Sequence, residues 1–364
     1  MRIRIFVVVQ VAVAAMFIPN VYSETITENV ILITYDGLRH QEVFGGIDRR
    51  LVNGRDDKVE DVNGLRERFM RETPEQRRST LLPFFWSVIA KDGKVWGDPR
   101  SNSAVLVEND QLFSYPGYNE ILTGSPDAKI QSNAKKNNEN VTVLEWVNAQ
   151  PGFNGKVEAF CSWDVFPFII NEERSGVPVN AGWEEFTDMG DSALQEEMNM
   201  LTRELPHNWG GIRFDLLTFE GAMDSLKHHK PRLLYIGFGE TDDWAHEGRY
   251  DMYIESAHRT DRYIQRIWEL VQSMPEYAGK TTLILTSDHG RGDTHPDWKG
   301  HGTKIEGSDR IWTAALGPDT KGKGVLKNAN ATQGQAAATI AALLNLDFNE
   351  AFPEAAAVLK GALK

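Results

Sequence analysis

The stretch Leu234-Tyr235-Ile236-Gly237-Phe238-Gly239-Glu240-Thr241-Asp242-Asp243-Trp244-Ala245-His246 is an apolar run followed by an acid and an imidazole four residues apart. A short, continuous apolar run of this kind is the pattern of a strand covered on both faces of a parallel sheet. Two other stretches share the design. Ile31-Leu32-Ile33-Thr34-Tyr35-Asp36-Gly37 ends in an acid and a glycine, and Leu283-Ile284-Leu285-Thr286-Ser287-Asp288-His289-Gly290 ends in an adjacent acid and imidazole. The full set of expected strands is Asn29–Thr34, Lys156–Phe160, Arg232–Phe238, Thr281–Thr286 and Ile311–Leu316, with Glu158 interrupting the second. Met252–Met274 carries an apolar face opposite a charged one, and Thr332–Leu346 is rich in Ala and Leu; both read as helices. Strands alternating with helices predict an α/β fold with a mostly parallel central sheet sandwiched between helices.

Around this frame lie two polar stretches. Residues 39–72 are charged and rich in Gly, Asp and Arg, and residues 180–215 are acidic with scattered Trp and Met. They are expected to be cap insertions over the carboxyl edge of the sheet, in a single catalytic domain covering residues 24–364. Residues 1–23 stand apart. A basic head with Arg2 and Arg4 precedes the mostly apolar Ile5–Val21, and Val21-Tyr22-Ser23 suits a cleavage point. This reads as a secretory signal, the other reading being an uncleaved anchor. A periplasmic or secreted protein with no membrane association after cleavage is expected.

The chain has 364 residues, 41% hydrophobic and 25% charged, which excludes wholesale disorder. There are 39 Lys and Arg against 52 Asp and Glu, a net charge of −13, which argues against binding a nucleic-acid duplex. Cys161 is the single cysteine, so neither a disulfide within the chain nor a Cys-rich zinc site exists.

In an open α/β sheet the carboxyl ends of the strands converge on the ligand crevice. Asp36, Asp242, His246, Asp288 and His289 all follow expected strands, and His301 comes shortly after in Gly300-His301-Gly302. Each alone has a blander reading, as a turn or a surface residue. Together they need a compensating charge, because burying unpaired carboxylates is costly. A pair of divalent cations supplies it. Zinc takes imidazole nitrogen and carboxylate oxygen, and manganese or iron accept the same donors. Ser114, in Phe113-Ser114-Tyr115-Pro116-Gly117-Tyr118-Asn119-Glu120-Ile121-Leu122-Thr123-Gly124, is the nucleophile candidate, since a bound metal can activate a hydroxyl that has no histidine base.

The order of Asp36, Ser114, Asp242 with His246, Asp288-His289 and His301 resembles the alkaline phosphatase superfamily. The Ser114–Gly124 stretch looks most like its nucleotide pyrophosphatase/phosphodiesterase branch. The resemblance implies two divalent ions, expected as Zn2+. Asp242, His246 and His301 would hold one, and Asp36, Ser114, Asp288 and His289 the other. It places Asn133 at a non-bridging oxygen of the transferred group. It implies a hydrolase of a small phosphate ester, diester or monoester, working through a phosphoserine. The alternatives are a sulfatase or phosphonate hydrolase on the same scaffold, or a binding relative without turnover. Tyr118 stands where formylglycine sulfatases carry Arg, so a free serine hydroxyl is expected. Ser162–Phe166 offers Trp163 and no cation, a composition that favours diesters or apolar substituents. The short interval from His289 to His301 is more like the cofactor-independent phosphomutases, against which an export signal speaks. Trp163, Arg291 and Lys304 are the candidate substrate contacts; for the two cations a plain surface position is the competing reading.

Overall fold

The computed structural model describes residues 25–53, 58–320, 322 and 324–363; the expected signal segment lies outside them. Eleven strands are present among these residues: β1 Asn29–Tyr35, β2 Lys94–Trp96, β3 Ala104–Leu106, β4 Val157–Cys161, β5 Val179–Ala181, β6 Leu233–Phe238, β7 Thr281–Ser287, β8 Arg310–Ile311, β9 Thr313–Leu316, β10 Gly324–Val325 and β11 Asn330–Thr332. Eight form the central sheet in the order β10-β2-β9-β7-β1-β6-β4-β5, and β11-β3-β8 make a small second sheet. Only β9 runs against its seven companions, because it pairs antiparallel with both β7 and β2. The expected parallel run Ile311–Leu316 is thus divided. Ile311 pairs with Val105 in the small sheet, and Thr313–Leu316 joins the large one in the opposite direction.

Period-two alternation along β1 builds two cores. Ile31, Ile33 and Tyr35 enter one, which is closed by the helix Tyr250–Ser273. Val30 and Leu32 enter the other, closed by the helices Ser114–Thr123, Val143–Asn148 and Gln335–Leu343. A strand covered on both faces has no solvent side, which is why β1 is entirely buried.

The segment 39–72 also contributes to a core. Val43, Phe44, Ile47, Leu51, Val52, Leu65 and Phe69 are buried in the first core. Residues 180–215 hold the helix Ser192–Glu204 and carry Phe186 and Met198 into a small separate cluster with Leu217. No helix among the described residues is long and apolar enough to cross a membrane.

Asp261, on the long helix, is 1% exposed and accepts the backbone N–H groups of Phe84 and Phe85 at 2.8 and 2.9 Å. Burial pushes its carboxyl up to about 7 against the pull of those donors. A folded pKa raised above the unfolded value of about 4 means that the native state holds the proton more tightly. The contribution is therefore full below about pH 4 and is lost as pH rises towards 7. Asp261→Ala, which orphans two buried N–H groups, should cost about 2–4 kcal/mol. Asp261→Asn should flatten the pH profile of urea unfolding between about pH 4 and 7. Parallel profiles for wild type and Asn variant would show that another group titrates there.

Candidate metal centre

β7, β1 and β6 are neighbours in the sheet, with Tyr35 opposite both Ser287 and Phe238. The residues that follow them therefore emerge side by side. Asp36 and Asp288-His289 follow directly, and Asp242 and His246 sit one turn apart on the helix Glu240–His246. Two groups of ligand atoms result, each with its members within 4.8 Å of one another: Asp242 with His246 and His301, and Asp36 with Asp288 and His289.

The first group faces solvent on one side, since the His246 side chain is 47% exposed. Its Nε2 lies 3.1 Å from Asp242 Oδ2 and 3.0 Å from His301 Nε2. The second group is closed. His289 Nε2 lies 3.3 Å from Asp36 Oδ1 and 3.4 Å from Asp288 Oδ2, and both His289 and Asp288 side chains are fully buried. Asp242 stands between the groups, its Oδ1 3.6 Å from His289 Nε2 and 3.7 Å from His301 Nε2.

Each ligand is held by its other atoms. Tyr118 donates to Asp36 Oδ2 at 2.9 Å, and the Gly37 N–H donates to Asp288 Oδ1 at 3.0 Å. His289 Nδ1 faces the Gly290 carbonyl and His301 Nδ1 the Leu112 carbonyl, both at 3.0 Å. A carbonyl only accepts, so each ring carries its proton on Nδ1 and turns a bare Nε2 to the centre. Leu112 reaches this position with a left-handed backbone, φ 54°, two residues before Ser114. Such a residue persists only where its surroundings hold it; here the Asn109 side chain accepts its N–H at 2.9 Å.

What remains is a set of buried atoms with no partner: Asp36 Oδ1, Asp288 Oδ2 and His289 Nε2. Two acceptor oxygens and one bare nitrogen converging in a buried pocket fit a divalent cation of the zinc, manganese or iron type. The electrostatics agree. Burial, then the nearby Asp242 charge, raises the Asp36 carboxyl well above the ordinary carboxylate range, and burial and Asp36 do the same to Asp288. Burial works to raise Asp242 too, but Arg291, His246 and His301 outweigh it and hold that carboxyl well below its usual range. Burial, above all, depresses His301 to about 2. A neutral imidazole is the ligand form.

Ser114 is the first residue of the helix Ser114–Thr123 and is 5% exposed. Its helix packs against the centre at Gly117, where an added Cβ would lie 2.3 Å from the Asp288 carbonyl. Asn133 is exposed and caps the same helix start, its Oδ1 accepting the Tyr115 N–H at 3.0 Å. Trp163 is half-buried, its ring 6.5 Å from that of Tyr118. Lys304 is exposed on the loop after His301. Arg291 is not a surface residue; it is 1% exposed and pairs with Asp242. Sequence reasoning gave Tyr118 no role at the centre and passed over Asp243. Tyr118 lies in the quoted serine motif, but only its hydrogen bond to Asp36 reveals its use. Asp243, beside Asp242, has a buried unpartnered Oδ2, and burial and Asp242 push its carboxyl up to about 9.

The fold is alkaline phosphatase-like. The chain superposes on the alkaline phosphatase PafA, solved as a mutant, with a TM-score of 0.57 at 10% identity, covering 95% of this chain and 100% of that one. It superposes on a phosphonate monoester hydrolase from Silicibacter pomeroyi with a TM-score of 0.56 at 13% identity, covering 93% and 76%. The lipoteichoic acid synthase LtaP of Listeria monocytogenes gives 0.52 at 9% identity over 88% and 72%. These names span several chemistries, so the likeness is to the fold and not to one branch. In sequence, residues 185–347 match the Metalloenzyme superfamily. A stretch of 74 residues is 31% identical to a 2,3-bisphosphoglycerate-independent phosphoglycerate mutase of Gracilaria tenuistipitata var. liui. That match covers 20% of this chain and only 14% of the mutase.

Gly37 has φ +60°, and an added Cβ would lie 2.8 Å from Arg291 Nε, 3.0 Å from Asp242 Oδ1 and 3.1 Å from His289 Cε1. Gly37→Ala should therefore cost roughly 1–3 kcal/mol and spread the ligand set. Metal analysis after dialysis should find less than the wild-type content; an unchanged content would show that the crevice relaxes around the methyl group.

Proposed function

We propose that the protein is an exported metal-dependent hydrolase of the alkaline phosphatase superfamily that cleaves small phosphoric esters through Ser114. The observation that carries this reading is the convergence of two ligand groups, three of whose buried atoms lack partners, beside the helix that begins at Ser114. Export rests on the basic and apolar character of residues 1–23.

Asp242, His246 and His301 would hold one divalent ion, and Asp36, Asp288, His289 and Ser114 the other. Ions bound there supply Lewis-acid charge, which lowers the pKa of the serine hydroxyl and neutralises the oxygens of the transferred group. Ser114 Oγ attacks phosphorus in line; the new O–P bond forms as the ester P–O bond breaks, and the alcohol leaves with a proton. A water then cleaves the phosphoserine, returning the hydroxyl and releasing phosphate from a monoester substrate or a phosphate monoester from a diester. The Asn133 side-chain N–H2 would donate to a non-bridging oxygen while its Oδ1 holds the Tyr115 N–H at the helix start. Trp163 would stack on the leaving group. As in other phosphoryl transfers, the protein contributes mainly position and charge.

Purified protein should retain about two divalent ions per chain and hydrolyse at least one of an aryl phosphate monoester and the matching diester, faster than the aryl sulfate. Ser114→Ala should lower that turnover by about 1,000-fold or more with nearly unchanged metal content. Full activity in this variant would remove Ser114 from the nucleophile role. No hydrolysis of any of the three esters by the zinc- or manganese-loaded wild type would overturn the proposed activity.

A further inference from the structure

The centre contains a cation of its own. Arg291 lies two residues after His289, with a fully buried side chain. Its Nη2 donates to Asp242 Oδ1 and, at 3.0 Å, to the Asp242 carbonyl; Nη1 donates to the Lys299 carbonyl at 2.7 Å. Its Nε is buried without a partner and lies over Gly37, the residue whose missing side chain makes room for it. The guanidinium is thus held by three hydrogen bonds, with its side chain fully buried. It acts on Asp36, Asp242 and Asp243 together.

The atom it holds is the informative part. Asp242 Oδ1 is the oxygen that faces both ligand groups, towards His289 Nε2 and His301 Nε2. A guanidinium on that oxygen does two things. It fixes the carboxylate orientation, and it delivers positive charge to the point where a divalent ion would deliver it. The two cations then share one acceptor, so each weakens the hold of the other.

We propose that Arg291 is a positioning residue acting through Asp242, a built-in counter-cation that keeps the buried acids folded without metal and lowers the affinity of the centre for it. This rests on the two-ion reading above. Arg291 therefore trades metal affinity for a fold that survives metal loss. Its Nη1 and Nη2 are engaged by the Lys299 carbonyl and Asp242, so in this proposal it acts on the acids of the centre.

The test is a thermodynamic cycle of wild type and variant, each with excess chelator and each with saturating Zn2+ or Mn2+. The difference between the two destabilisations must equal the change in metal binding free energy, so stability and affinity check each other. Arg291→Met should lower Tm with chelator by about 8 °C or more, and by less than half of that with metal. Competition with a chelating dye should then show metal binding tightened by roughly tenfold. Arg291→Lys, which keeps the charge and loses the fork, should fall between wild type and the Met variant on both readouts. Equal losses with and without metal, at unchanged affinity, would show plain packing and overturn the proposal. A larger loss with metal, with weaker affinity, would make Arg291 an organiser of the loaded centre and overturn it equally. If the Met variant is unfolded under chelator, with or without recovery on metal addition, the sign of the same difference in the Lys variant decides. A wild type that takes up no metal would overturn the two-ion reading itself, before any variant is compared.

Discussion

Three adjacent parallel strands that end at one level impose the constraint on which the rest of the molecule depends. β7, β1 and β6 are buried on both faces and locked in register, so none can slide to separate the acids that follow them. An unpaired buried carboxylate costs several kcal/mol, and this chain places Asp36, Asp242 and Asp288 in one crevice. The surroundings read as responses to that load. Tyr118 and the Gly37 N–H each take one carboxylate oxygen, and the Thr241 hydroxyl and the Gln333 amide tie down the Asp36 and Asp288 backbones. Arg291 supplies charge. What these leave unmet is a cluster of atoms of the kind a divalent ion takes.

Most of the sheet centre was legible in the sequence, because strands buried on both faces must be apolar throughout. The edges were not. β2, β3, β5, β10 and β11 are two or three residues long, too short for any period to appear. Direction was also hidden, since the residues of β9 look the same run either way; the break at Trp312, which donates to the Leu38 carbonyl at 2.9 Å, is a tertiary event. The charged segment 39–72 read as a roof by composition. Its apolar residues are few but spaced to reach the core, and its charges satisfy one another, as Arg39 does with Glu42.

At the centre, the strand-end acids and imidazoles stood out because their positions follow from the strands themselves. Arg291 did not. A guanidinium in a glycine-rich loop reads as solvated, and only the packed structure shows it 1% exposed on Asp242. The left-handed Leu112 was equally hidden. Its conformation sets the direction of the carbonyl that orients His301, and no residue preference announces a leucine at φ 54°.

Charge balance links the centre to the whole protein. The chain carries a net charge of −13, so its general field repels a phosphate ester. Asp36, Asp242 and Asp288 against Arg291 leave the crevice formally anionic by two charges, and two divalent ions would make it cationic by as much. The same ions that satisfy the orphaned ligand atoms would thus reverse the local sign, and only then would an anion gain by entering. Because a buried charge acts through a lower effective dielectric than surface charges do, this reversal outweighs the acidic surface at close range. Metal binding would come before substrate binding in such a site, with the sign of the crevice as the gate. Arg291 sets the level from which that gate opens, since without it the crevice would be more anionic and harder to fold.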